Sequence, residues 1–202
     1  MKANQAAFDV GQLAQDMSQG YATHRAAMTI ITRLDAQTLH RVTWNDPVGS
    51  TPCKDGTEWS FNLRDFLRLA STKPAIAAEL PRVWLTGSLL AVGDALKRNG
   101  YFDRAPELEL VRHLRNGIAH GNRFDIRYPD ELKDFPAHNR DVWPKRPNST
   151  MIFEITAALD GKRVLFDFME PGDVLELLGY VGVHLKRMGN GEPLRPPPQS
   201  SK

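Results

Sequence analysis

The stretch Leu110–Phe124, LVRHLRNGIAHGNRF, gathers residue types that move protons and grip anions. Histidine exchanges a proton near neutral pH, which suits His113 and His120 to general acid–base work. Arg112, Arg115 and Arg123 carry permanently charged donor forks matched to phosphate oxygens. Asn116 both donates and accepts. Together they could move protons at an anionic substrate while the arginines stabilise its developing negative charge.

Helical geometry constrains how these groups meet. At about 100° per residue, His113, Asn116 and His120 fall within roughly 60° of one another on one stripe. Arg115 stands about 140° from His120, at the border of an apolar arc of Leu110, Val111, Leu114 and Ile118. Three arrangements would bring Arg115 and His120 to one atom: unwinding at Gly117 or Gly121, the arginine reaching round, or two copies facing each other. Charge adds a second signal. The chain carries only +2 overall, but residues 112–127 hold Arg112, Arg115, Arg123 and Arg127 against Asp125. Such a run attracts a polyanion. Each feature also has a plainer reading: an interhelix ion pair for Arg115, a helix cap for His120, a solvated edge for the basic run.

The elements that must position these residues are mostly helical. Apolar residues recur at helical spacing from Gln5 to His40, with Gly20 a candidate break. Residues 43–60, with Pro47, Gly49, Pro52 and Gly56, read as a loop, and a short helix is expected over 63–70. Pro81 suits the first turn of a helix that ends by Gly100, and Gly87 within it reads as a close-packing position. For the motif helix, Asp103 suits the N-cap, Pro106 the first turn and Gly121 the stop; Glu107 and Glu109 suit its positive end. Residues 122–150 read as an irregular excursion. MIFEITAALDGKRVLFDF then predicts a β-hairpin over about 151–168, turning at Asp160-Gly161, with Phe153, Ile155, Ala157, Val164, Phe166 and Phe168 on one face. Asp173 and Glu176 suggest a capping box for a last helix whose buried stripe is Val174, Leu177, Leu178, Val181 and Leu185. The segment 189–202 is Pro/Gly/Ser-rich and reads as disordered.

The fold class expected is mainly α, a bundle of four to five helices with an inserted β-hairpin, as a single domain over 1–188. Composition narrows the function classes. Of 202 residues 41% are hydrophobic and 25% charged, the balance of a globular protein. No run is long and apolar enough for a membrane span, and the first residues lack the apolar core of a signal peptide. Cys53 is the single cysteine, which leaves no disulfide within the chain and no thiolate zinc site. A cytoplasmic protein is expected. Phosphate-loop, H-E-x-x-H and G-x-S-x-G motifs are missing, and the histidines are too scattered for a metal site.

RNGIAHG at 115–121 closely resembles the R-(N/D/H)-x-x-x-H signature of the HEPN superfamily of helical proteins. The order of helices is similar to theirs over about 5–120 and 173–188. The resemblance implies a metal-independent endoribonuclease of the toxin, abortive-infection or phage-defence kind, in which a base removes the 2′-hydroxyl proton, an acid protonates the leaving 5′-oxygen and cations stabilise the phosphorane. The products would be a 2′,3′-cyclic phosphate and a 5′-hydroxyl, with no cofactor consumed. Arg115 and His120 would be catalytic, and Asn116 would assist. It also implies RNA as substrate, a homodimer with both motifs lining one cleft, and room for an antitoxin or regulatory protein. Arg112, His113 and Arg123 join Asn116 as substrate-binding candidates. Asn122 stands where the adenylated toxins of that superfamily carry a tyrosine, so that form of regulation is not expected. The competing expectation is a catalytically silent helical module that binds nucleotide, RNA or a protein partner.

Overall fold

The computed structural model describes residues 4–33, 47–62, 73–142 and 151–192. The helices are α1 (Gln5–Arg33), α2 (Pro74–Asn99), α3 (Pro106–Ala119), the single-turn α4 (Glu131–Asp134) and α5 (Pro171–Gly189). Strands β1 (Pro47–Pro52) and β2 (Glu58–Asn62) form a two-stranded antiparallel sheet. The class is therefore mainly helical with one small sheet, as expected. The described residues group into two compact units, 4–20 with 82–192 and 21–81, where the sequence suggests one domain over 1–188. Expectations for 34–40, the helix over 63–70 and the tail beyond 192 lie outside the described residues.

In the first unit one core is assembled from four helices. Ala7, Val10 and Ala14 of α1 and Leu85, Leu89, Val92 and Leu96 of α2 enter it. Leu108, Leu110, Val111 and Leu114 of α3 join them, with Val174, Leu177, Leu178, Val181 and Leu185 of α5. The spacings of three and four residues put each set on one helix face. Missing side chains let α1 and α5 touch: a Cβ on Gly11 would lie 2.9 Å from the Gly182 carbonyl oxygen. A polar contact also runs through this core. His184 of α5 meets Glu107 of α3, Nδ1 to Oε1 at 2.7 Å, with both side chains 7% exposed.

The second unit holds the sheet, and here the sequence expectation of a loop over 43–60 is corrected. The ladder pairs Pro52 with Glu58, Thr51 with Trp59, Ser50 with Ser60 and Gly49 with Phe61. Its turn is organised by Asp55, whose carboxylate accepts from the Thr57 amide at 3.0 Å and hydroxyl at 2.6 Å, and by left-handed Gly56 (φ 83°). Prolines at both ends of β1 hide the strand from a propensity reading, yet a strand end is where proline costs least.

The hairpin expected over 151–168 does not form. Asp160 takes φ −52°, ψ 132° and Gly161 φ 71°, a type II combination rather than the doubly left-handed turn that matches strand twist. A short 3₁₀ turn, Ala157–Leu159, precedes it. Each arm pairs elsewhere. Residues 153–155 bond to 137–139, and 161–164 bond to 122–124. The apolar face is largely real: Phe153, Ile155 and Val164 are buried and Phe166 and Phe168 pack on the core, while Ala157 is exposed. Alternation revealed burial but not the partner strand.

Three smaller expectations also shift. α2 begins at Pro74, so Pro81 lies inside the helix, after an alanine-rich stretch of high helix propensity. The N-cap of α3 is Ala105, with Asp103 in a preceding 3₁₀ turn. The capping box of α5 is Glu170 with Asp173, three residues before the expected pair.

Candidate active site

Pro106 at the first position, Glu107 and Glu109 in the first turn and the apolar arc make 106–119 a helix. Leu110, Val111 and Leu114 are fully buried, which turns the opposite stripe outward. The helix stops because Gly121 and Asn122 both take left-handed conformations, φ 82° and 64°. Their amides and that of Arg123 return to the carbonyls of Ile118 and Gly117. Asn122 adds a two-pronged lock. Its side-chain oxygen accepts from the Leu165 amide at 2.9 Å and its nitrogen donates to the Leu165 carbonyl at 3.3 Å. Gly117 is required by packing, since a Cβ there would run into Val164 and lie 2.9 Å from the Arg123 carbonyl oxygen.

The outward stripe lines a cleft of about 220 Å³. Arg112, His113, Asn116 and His120 form one wall, as the helical spacing predicts. Asp125, Arg127, Tyr128 and Glu131 are among the residues of the other. Of the predicted site residues, this cleft collects four. Arg115 and Arg123 are not among its lining.

Arg115 leaves the stripe at the angle expected and turns to α2. Its Nε and Nη2 donate to Asp94 Oδ1 at 2.9 and 2.6 Å, and its stem lies where Gly93 has no Cβ. The close approach of the two helices is thus at Gly93, not at Gly87, which faces open space. Arg115 still reaches the cleft indirectly, because Nη1 donates to Asn116 Oδ1 at 3.1 Å. That bond fixes the amide so that its NH₂ group is the free end.

His120 is the C-cap residue and is exposed. Its backbone N–H closes onto the Asn116 and Gly117 carbonyls, so the capping role belongs to the main chain and leaves the imidazole at the mouth of the cleft. His113 differs. Burial, then the charge of Arg112, push it down to about 4, and its Nε2 is buried without a hydrogen-bond partner. Charge in the cleft is largely paired. Arg112 bonds Glu109, a buried carboxyl that desolvation raises above its usual range against the pull of that arginine. Arg127 bonds Asp125, whose carboxyl is held low first by that bond, with the charge of His120 contributing. Arg123 sits beyond the helix end with Nη1 on the Gly161 carbonyl at 2.7 Å, lining a separate groove.

Tyr128, 68% exposed at the cleft, escapes a reading of the sequence by motif. A signal existed: Arg123, Asp125 and Arg127 are exposed while Phe124 and Ile126 are buried, a period of two inside a segment read as irregular. Among the described residues no three His, Cys, Asp or Glu side chains gather as a metal site, and no helix is long and apolar enough to cross a membrane. Comparison with family models, characterised proteins and solved structures returns no match for this chain.

Proposed function

We propose that the chain is a metal-independent endoribonuclease of HEPN type, working as a homodimer in the cytoplasm. The observation that carries this reading is the convergence of Asn116 and His120 in one cleft, with Asn116 oriented by Arg115 and Asp94. In the reaction the 2′-oxygen attacks phosphorus while a histidine takes its proton. The P–O5′ bond breaks as a histidine protonates the departing oxygen. His120 is the group for this work, being the exposed imidazole of the cleft. His113 is held neutral with its Nε2 sealed, so it shapes the wall. Asn116 donates its NH₂ to a phosphate oxygen, and Arg115 acts through it as a positioning residue. One chain presents one exposed imidazole to this cleft and the reaction moves two protons, which favours two copies supplying His120 in pairs. A role in stress or phage defence, with an antitoxin or regulatory partner, belongs to the same proposal.

The test is product chemistry. Purified chain incubated in EDTA with a labelled mixed RNA pool should yield 2′,3′-cyclic phosphate and 5′-hydroxyl ends. Products ending in 3′-hydroxyl and 5′-phosphate, or cleavage abolished by EDTA, would contradict the mechanism. A second reading, a silent module that binds RNA, nucleotide or protein, is favoured by one observation. Arg112, Arg115 and Arg127 are all engaged by carboxylates. An intact pool bound without turnover would select it.

A further inference from the structure

Beyond the helix end, the chain pairs Arg123 with Arg163 across an antiparallel bridge. The flanking bonds run from the Phe124 amide to the Lys162 carbonyl at 2.9 Å and from the Val164 amide to the Asn122 carbonyl at 3.1 Å. This makes Arg123 and Arg163 a non-hydrogen-bonded pair, the kind whose side chains stand closest. Like charges directly opposite destabilise such a pair. Lys162 lines the same groove of about 560 Å³, so three exposed cations face one carboxylate, Asp167. No ion pair engages any of these three cations among the described residues, in contrast to the arginines of the cleft.

The groove and the cleft are joined by one strip of surface. Arg123, Asp125 and Arg127 alternate outward from a segment whose Phe124 and Ile126 are buried. Arg123 lines the groove and Arg127 the cleft. At about 3.3 Å per residue these ends are roughly 13 Å apart, a span suited to a few nucleotides. The cleft end also offers an exposed aromatic ring, Tyr128, while Phe168 at the groove end packs its ring against Phe124 and Phe153. Basic side chains along a groove beside an exposed aromatic ring are how proteins hold single-stranded nucleic acid.

We propose that the Arg123–Lys162–Arg163 groove is a phosphodiester-binding site that grips single-stranded RNA extending out of the cleft. A backbone phosphate between Arg123 and Arg163 relieves their repulsion, and Tyr128 stacks a base at the other end. This rests on the nucleic-acid half of the reading above. Cleavage by His120 is not assumed.

The experiment is fluorescence anisotropy of the full chain with 2′-O-methyl oligouridylates, which lack the attacking hydroxyl. Four-nucleotide and twelve-nucleotide lengths are compared. The longer probe should bind wild type at least tenfold more tightly. Lys162→Glu with Arg163→Glu should erase that advantage and leave the short probe unchanged, and the salt slope for the long probe should fall by about 0.7 for each phosphate no longer neutralised. Lys162→Gln with Arg163→Gln, checked by its melting curve, serves if charge reversal unfolds the chain. Equal affinity for both lengths, a loss shared by both lengths, or an unchanged long-probe affinity would overturn the groove alone. Competition by polyglutamate as effective as by RNA would assign the groove to acidic protein and overturn the proposal, as would inorganic phosphate competing at equal phosphate concentration. No binding at either length would overturn both this site and the ribonuclease reading.

Discussion

Asn116 illustrates how a short side chain acquires direction. Its oxygen is occupied by Arg115, whose other donors are fixed by Asp94 on α2, and the residue lines the cleft with its NH₂ left to donate. Breaking that chain at its far end is informative because Asp94 does not line the cleft. Asp94→Asn should lower kcat about tenfold with KM little changed, while stability moves by less than about 1 kcal/mol, as for a partly exposed pair. Steady-state kinetics with a melting curve checks both; an unchanged kcat would remove Arg115 from the mechanism. His113 makes a prediction about pH. Its folded-state proton is taken up only near pH 4, whereas an unfolded histidine takes one near 6.5. Between those values the unfolded chain binds the extra proton, so the native state is favoured most above pH 6.5 and loses ground as pH falls to 4. The loss is on the order of 3 kcal/mol. Urea titrations at successive pH values should show it, and His113→Gln should flatten the slope.

Among the elements, α3 and the segment behind it decide whether the site exists at all. Gly117→Ala drives a methyl into Val164 and the Arg123 carbonyl, and should cost about 1–3 kcal/mol. Gly87→Ala on α2 meets nothing within 4 Å and should instead add about 0.5–1 kcal/mol through helix propensity. Denaturant midpoints of the two variants should move in opposite directions; a shared direction would contradict the close packing at Gly117 or the open space at Gly87. Asn122→Ala loses both bonds to Leu165 as well as a residue tolerant of left-handed backbone, at about 1–3 kcal/mol, and Asn122→Gly should recover part. The stripe on α3, the apolar arc, the stop at Gly121 and the core face of α5 could all be read from spacing, because a helix is determined by neighbours three and four residues away. The pairing of 122–124 with 161–164, and of 137–139 with 153–155, could not. Strand partners are chosen by the whole fold, and a local turn signal at Asp160-Gly161 pointed to the nearest segment. The same signal at Asp55-Gly56, hidden among prolines, is where a hairpin does form. The plainer reading of Arg115 as an interhelix ion pair also holds, since its border position on the helix turns it to Asp94 of α2.

For the whole molecule the central question is what the cleft does. Paired use of His120 needs two copies, so sedimentation equilibrium should give a dimer at concentrations where cleavage is observed; an active monomer would contradict it. The buried contact of His184 with Glu107 ties α5 to the helix carrying the site. Removing either partner should destabilise by about 1–3 kcal/mol, the cost of leaving a buried polar group without its partner. Catalysis by His120 is decided by the single-turnover cleavage rate of a defined RNA in EDTA, for wild type and His120→Ala, each matched by its melting curve. The rate should fall by about 10²–10⁴ with the melting temperature unchanged, the range for removing a general acid or base. Equal rates from the two proteins, or no cleavage by wild type, would contradict a catalytic His120.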